Sequence, residues 1–191
     1  NDAAPRAWVG LGSNDEREAA LGGALAALES EFGPLAVSSV YASPCANGGE
    51  REYWNLAAGF NTVFDAVAVR SRLKTIEASL GRQRGVAAEG RVRIDLDLLA
   101  TAAHAGVVVF HCPLEAPHVL LPLAELLPEC RSPGHTVTLA ERARRLHRRA
   151  APDAKERNLT QLLCDLSTGV EAEVERHFAF EETRLFGYLA K

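Results

Sequence analysis

Hydrophobic and polar residues alternate along residues 93–99, where Ile94, Leu96 and Leu98 occupy every second position. This period of two is typical of a β-strand with one face on a core, so the other face carries Asp95 and Asp97. Other apolar or alternating runs predict further strands at residues 7–11, 35–41, 53–64 and 107–110.

Two segments between these strands have the spacing of a helix with one apolar face. The first is predicted to be capped by Gly12-Ser13-Asn14 and to end at Gly33-Pro34. The second is predicted to have Asp65 as its N-cap and Gly81 as its end. Their apolar faces are Leu21, Ala24, Leu25 and Leu28 in the first, and Val69, Leu73, Ile76 and Leu80 in the second.

The order of the elements up to residue 99 is strand, helix, strand, strand, helix, strand. This order predicts an α+β fold, a ferredoxin-like α/β sandwich with an antiparallel sheet and flanking helices on one face. A helical turn with Pro122 at its start is expected over residues 122–127. We expect one domain over residues 1–135 and a helical C-terminal extension over residues 136–191.

Composition narrows the class of protein. The chain has 191 residues and a net charge of −4, which gives no support for binding to nucleic acid or to an anionic membrane surface. No apolar run approaches the length of a membrane span, and residues 1–5 lack the order of a signal peptide. The four cysteines are widely spaced, which favours free thiols over a zinc site or a disulfide framework. A cytoplasmic protein is expected.

The paired aspartates are the candidate chemistry. Residues two apart on a strand face are separated by roughly 7 Å at the backbone. Asp95 and Asp97 at that spacing repel each other unless cations lie between them, and magnesium ions with open positions for phosphate oxygens would remove the repulsion. The alternative is a solvated polar face on an edge strand.

Six motifs in order give the chain a family resemblance over about residues 7–130. The motifs are Gly10-Leu11-Gly12-Ser13-Asn14, Ser39-Val40-Tyr41-Ala42-Ser43-Pro44, Tyr53-Trp54-Asn55-Leu56-Ala57, Ile76-Glu77 with Gly81-Arg82-Gln83-Arg84, Ile94-Asp95-Leu96-Asp97-Leu98-Leu99, and Ala116-Pro117-His118 with Leu121-Pro122-Leu123-Ala124-Glu125-Leu126-Leu127-Pro128. Together they resemble 6-hydroxymethyl-7,8-dihydropterin pyrophosphokinase, a folate-pathway enzyme that transfers a diphosphate from ATP to the pterin hydroxymethyl group.

The resemblance implies an ATP-dependent diphosphotransferase that uses two Mg²⁺ ions and binds only small molecules, with a monomer expected. It also implies a role for each matching residue. Catalysis would use Asp95, Asp97, Arg82 and Arg91, with Asp95 and Asp97 as the metal ligands. Ser43, Pro44, Tyr53 and Asn55 would bind the pterin, and Glu77, Arg84 and His118 would contact the nucleotide.

Structural alternatives stand beside these roles. Asn55 could satisfy only backbone groups, Tyr53 could be a core aromatic, and Arg82 could serve only the negative end of the preceding helix. Glu77 could simply pair with Lys74 or Arg84.

Two departures from the family pattern favour a second hypothesis. An arginine expected just before the aspartate pair is displaced, with Arg91 and Arg93 on either side of its position. The segment after His118 runs directly into Pro122, so an arginine and a phenylalanine that the family carries there are missing. The alternative is therefore a catalytically impaired paralogue that binds a pterin or a nucleotide.

The C-terminal part raises a separate hypothesis. Residues 138–149 carry five arginines, which a solvated helix face explains. Further on, His177 and Glu181 lie four residues apart, a spacing that can bind metal and that resembles one helix of hemerythrin-like domains. Such a domain needs more histidines than His147 supplies, so coincidence or a truncated remnant is the preferred interpretation.

Overall fold

The computed structural model describes residues 6–44, 51–82, 90–102 and 106–150, with side chains described as far as residue 146. The sheet and helices follow the chain in the order β1 (Arg6–Ser13), α1 (Arg17–Phe32), β2 (Ala36–Val37), β3 (Tyr41–Ser43), β4 (Tyr53–Asn61), α2 (Ala66–Ser79), β5 (Asp95–Ala102), β6 (Val108–Phe110), α3 (Pro117–Leu126) and α4 (Leu139–Ala150). Among these described residues, no helix has both the length and the apolar character needed to cross a membrane.

The six strands form one antiparallel sheet in the order β2-β4-β1-β5-β6, and β3 also pairs with β4. β1 therefore lies between β4 and β5, although both strands come much later in the sequence. This is the split βαβ arrangement, since each helix connects two strands that are separated by a third. The predicted ferredoxin-like α+β fold is confirmed, with β6 added beyond β5.

Helices cover both faces of the sheet rather than one. On the first face, α1 and α2 pack on the core cluster that includes Val9, Leu56 and Leu96. On the second face, α3 and α4 pack on a smaller cluster that includes Trp8 and Ala100. The one-face expectation was wrong because apolar residues of β1 and β5 also point to the second face and need cover.

The start of α1 differs from the predicted cap. The helix begins at Arg17 after Glu16, which has a positive φ of 44° and no capping side chain. Asn14 instead binds the backbone ahead of β5: its Nδ2 donates to the Gly90 carbonyl at 2.9 Å, and its Oδ1 accepts from the Val92 amide at 2.6 Å. By contrast, the predicted N-cap of α2 is confirmed, since the Asp65 carboxylate accepts from the Ala68 amide at 2.8 Å.

The predicted strand over residues 35–41 is broken into β2 and β3. Ser38 lies in the break, and its Oγ accepts a hydrogen bond from the Ala57 amide at 2.9 Å. A side chain thus replaces part of the backbone ladder, which is how a short polar residue interrupts a strand.

The third helix begins earlier than expected. Pro117, not Pro122, occupies its first turn, and Pro122 lies inside the helix. Proline suits the first turn because no intrahelical acceptor is available there for its missing N–H. α4 follows with Leu139 fully buried in the second cluster, while residues 151–191, including His177 and Glu181, lie outside the described residues. The domain boundary at residue 135 stays a prediction.

Candidate active site

An open cavity of about 190 Å³ lies on the second face of the sheet, beside the first turn of α3. Its lining comes from β1, β3, β4, β5 and α3, and comprises Gly10, Leu11, Gly12, Ser43, Pro44, Tyr53, Asn55, Leu56, Asp95, Asp97, Leu99, His118 and Val119. Seven of the residues that the sequence assigns to the site are among them. A cavity of this size suits a small molecule.

Two glycines of β1 make the floor of the cavity. Gly12 pairs with Asn55 on one side and with Asp95 on the other, and Gly10 pairs with Asp97. Adjacent strands are about 4.8 Å apart, so the backbones of Asn55 and Asp95 are roughly 10 Å apart. Gly12 lies between them and places no side chain in the gap. A Cβ on Gly12 would lie 3.2 Å from Asn55 Oδ1. The first motif therefore supplies space rather than chemistry.

The carboxylates of Asp95 and Asp97 project from β5 into this cavity, as the period of two predicts. Their side chains are 40% and 67% exposed, whereas Leu96 and Leu98 are buried in the first core cluster. The strand is thus anchored through its leucines and presents both acids on one side.

The surroundings of Asp95 disfavour its charged form. Burial, followed by the charge of Asp97, raises the pKa of Asp95, and the charge of Arg82 acts in the opposite direction. Arg82 places Nη2 3.5 Å from Asp95 Oδ1, and its side chain is 15% exposed. A cation bound between the carboxylates would relieve the repulsion that the raised pKa reflects.

Asn55 forms the opposite wall. It is buried, and its Nδ2 donates to Ser43 Oγ at 2.9 Å and to the Tyr41 carbonyl at 3.3 Å. These contacts fix the amide plane and leave the oxygen, which lies next to Gly12, to accept from a donor in the cavity. Tyr53 and Pro44 complete this wall.

Glu125 does not line the cavity, but it holds α3 against the neighbouring part of the chain, a role that the sequence did not reveal although Glu125 belongs to the closing motif. Its carboxylate accepts hydrogen bonds from the Ser39 amide at 3.0 Å, from Ser39 Oγ at 3.2 Å and from the Tyr41 hydroxyl. Burial and the Glu125 contact raise the pKa of Tyr41. Glu125 lies seven residues, or two turns, after His118, so the same contacts that fix α3 on β3 also fix the His118 side of the cavity.

The remaining predicted residues lie elsewhere. Glu77 does not line the cavity; its side chain is 2% exposed and pairs with Lys74 at 2.7 Å, as the structural alternative expected. Arg91 is exposed and is not among the lining residues. Arg93 pairs with Glu16 at 2.5 Å. Arg84 falls outside the described residues.

The donor set fits magnesium better than zinc. In the described part of the chain, no group of three or more histidine, cysteine, aspartate or glutamate side chains could enclose a metal ion. Magnesium is commonly bound by one or two carboxylates, with water and substrate phosphates as the other ligands. Asp95 and Asp97 match that requirement.

The comparisons with known proteins agree with the geometry. The family model described as 7,8-dihydro-6-hydroxymethylpterin-pyrophosphokinase matches residues 8–128, a range that contains every residue lining the cavity. No curated protein matches the chain.

Proposed function

The chain belongs to the 7,8-dihydro-6-hydroxymethylpterin-pyrophosphokinase family, and from this premise we propose that it transfers a diphosphate from ATP to 6-hydroxymethyl-7,8-dihydropterin in folate biosynthesis. In this reaction the pterin hydroxymethyl oxygen attacks the β-phosphorus of ATP. The bond from that phosphorus to the oxygen bridging it to the α-phosphorus breaks, and AMP leaves.

One observation carries the proposal. Asp95 and Asp97 lie on one side of a glycine floor that has Asn55 on its other side. A cavity with an acidic edge and an amide edge can hold a metal-bound triphosphate and a flat heterocycle side by side. Such positioning supplies much of the rate in a reaction that needs no covalent enzyme intermediate.

We assign the acidic edge to the nucleotide. Asp95 and Asp97 would hold two Mg²⁺ ions, which when bound would neutralise the triphosphate and lower the barrier to attack. Arg82, already beside Asp95, would donate to phosphate oxygens. His118, at the start of α3, would donate to a phosphate as well. Arg84 is proposed to close over the phosphates together with Arg82, and Arg91 is proposed to contact a phosphate.

The opposite wall is assigned to the pterin. Asn55 would accept a hydrogen bond from the ring edge through its amide oxygen, held in place by Ser43. Tyr53 would contact the ring face, and Pro44 would close its side. Glu77 is proposed to support the nucleotide side indirectly, through its contacts with Lys74 and with the Leu96 amide.

The deciding experiment follows AMP release from ATP with 6-hydroxymethyl-7,8-dihydropterin and Mg²⁺. We expect AMP and the pterin diphosphate to form in equal amounts, and no AMP without the pterin. A folded protein that yields no AMP under any Mg²⁺ concentration contradicts the enzymatic proposal.

A second candidate is a protein that binds pterin or nucleotide without turnover. It is favoured by the lining of the cavity, which in the described part of the chain contains no arginine or lysine and no phenylalanine. Calorimetry separates the two, since binding of both ligands without AMP formation supports this candidate.

Gly12→Ala tests the pterin wall. The added Cβ would lie 3.2 Å from Asn55 Oδ1, closer than most such contacts, so the amide must move. Crowding of this kind costs about 1–3 kcal/mol, and we expect pterin affinity to fall about 10-fold or more. Calorimetric titration with the pterin measures it.

The matched control is Gly22→Ala in α1, where a Cβ meets no atom within 4 Å. This change is expected to raise the free energy of unfolding by about 0.5–1 kcal/mol and to leave pterin affinity unchanged. Equal pterin affinity in the Gly12→Ala variant and the wild type would show that the ligand does not lie on this floor.

A further inference from the structure

The strand that carries the two acids has an edge that another strand covers only in part. β1 pairs with one side of β5. On the other side β6 pairs only with Ala100, Thr101 and Ala102. The segment with Asp95 and Asp97 therefore lies beyond the reach of β6, at an edge where backbone groups need other partners.

Two side chains of α2 provide those partners at Leu96. Glu77 Oε1 accepts from the Leu96 amide at 2.7 Å, and Lys74 Nζ donates to the Leu96 carbonyl at 3.2 Å. The two side chains also bind each other, with Nζ and Oε1 2.7 Å apart. One acceptor and one donor at a single residue are what a neighbouring strand would offer in an antiparallel ladder.

Each member of the pair supports the other. The Glu77 carboxylate is almost fully buried, and such a charge is tolerated only when it is paired and hydrogen-bonded. Lys74 supplies the charge, and the helix spacing of three residues brings both groups to the same backbone position. Lys74 Nζ also lies 4.0 Å from Asp97 Oδ1, so the pair contacts the acidic edge directly.

We propose that Lys74 and Glu77 are positioning residues that set the spacing of Asp95 and Asp97 for metal binding. The inference rests on the proposed function. Leu96 is the residue between the two acids, so a shift of its peptide moves both carboxylates together. The pair therefore acts on the proposed metal site from the uncovered edge of the strand, without lining the cavity.

Calorimetry with Mn²⁺ and a non-hydrolysable ATP analogue tests this on the full chain. Glu77→Gln keeps an acceptor for the Leu96 amide but loses the charge, and Lys74→Met keeps the apolar stem but loses the donor. Each is expected to weaken Mn²⁺ affinity about 10-fold or more, as is usual for residues that orient metal ligands. The double variant is expected to be no weaker than the poorer single variant, because the two residues act as a unit.

The control is Arg72→Met on the same helix, which removes the 2.7 Å ion pair with Glu31 and the stacking on Phe64. It is expected to lower the melting temperature without changing Mn²⁺ affinity. Amide hydrogen exchange adds a readout without metal, since protection of the Leu96 amide should fall in the Lys74→Met variant and persist in the Arg72→Met variant.

Each outcome counts for or against the inference. Unchanged Mn²⁺ affinity in both pair variants overturns it, as does an equal loss in Arg72→Met, because the pair then serves only stability. Tighter Mn²⁺ binding by Lys74→Met also overturns it, since Lys74 then only competes with the metal. Wild-type protein that binds no Mn²⁺ would overturn the proposed function and the inference together.

Discussion

Replacing Asp97 by alanine is expected to abolish metal-dependent ATP binding and to lower turnover by about 10²–10³-fold or more. The loss is large because a preorganised charge in an active site contributes several kcal/mol to the transition state. The fold should persist, since the Asp97 side chain is 67% exposed and the flanking Leu96 and Leu98 make the core contacts. Calorimetry with Mg²⁺ and ATP, together with the AMP assay, measures both effects.

Asp97→Asn refines the test because it keeps the size of the side chain and removes only its charge. Its matched control is Asp65→Asn at the start of α2, where asparagine caps a helix about as well as aspartate does. The control should keep both stability and activity. If Asp97→Asn binds Mg²⁺ and ATP as the wild type does, the acidic edge is not the metal site.

The features that the sequence predicted correctly follow from local periodicity. The period of two placed Asp95 with Asp97, and Tyr53 with Asn55, on one side of the sheet, and the structure brings all four to one cavity. The period depends only on the backbone of each strand, so it holds wherever one face is packed on a core.

The features that sequence reasoning missed depend on contacts between distant segments. The contacts of Asn14 lie 76 and 78 residues away, at Gly90 and Val92, so its local appearance as a helix cap was misleading. Glu125 contacts Ser39 and Tyr41, more than 80 residues earlier. A short stretch of sequence around Asn14 or Glu125 does not contain these partners. A polar side chain shows that hydrogen bonds are needed, but not which distant residues make them.

The two glycines of the first motif show a different limit. Gly10 is in the predicted strand and Gly12 in the predicted cap, yet both are strand residues paired with the acidic edge. They leave the floor of the cavity without side chains between Asn55 and Asp95. Glycine carries no functional group that could indicate a role from the sequence. Only the strand register shows that these glycines lie between Asn55 and the two acids.

Arg82→Met is expected to separate catalysis from metal binding. Arg82 Nη2 lies 3.5 Å from Asp95 Oδ1, and its buried Nε has no hydrogen-bond partner among the described residues. A guanidinium beside the proposed metal site suits the phosphate oxygens on which charge develops. We expect kcat to fall by about 10²–10³-fold while Mg²⁺ and ATP still bind at neutral pH.

The same variant carries a pH signature with a defined sign. Arg82 opposes the rise that burial and Asp97 cause in the pKa of Asp95, so its removal raises that pKa further. A carboxylate must be ionised to hold a metal, and a higher pKa means that ionisation is complete only at higher pH. The pH at which half of the Mg²⁺ binding is lost on acidification should therefore move upward in Arg82→Met. It should stay in place in Arg145→Met, which breaks an exposed ion pair with Glu141 on α4, away from the cavity. A downward shift, or the same shift in both variants, would mean that Arg82 does not act on Asp95.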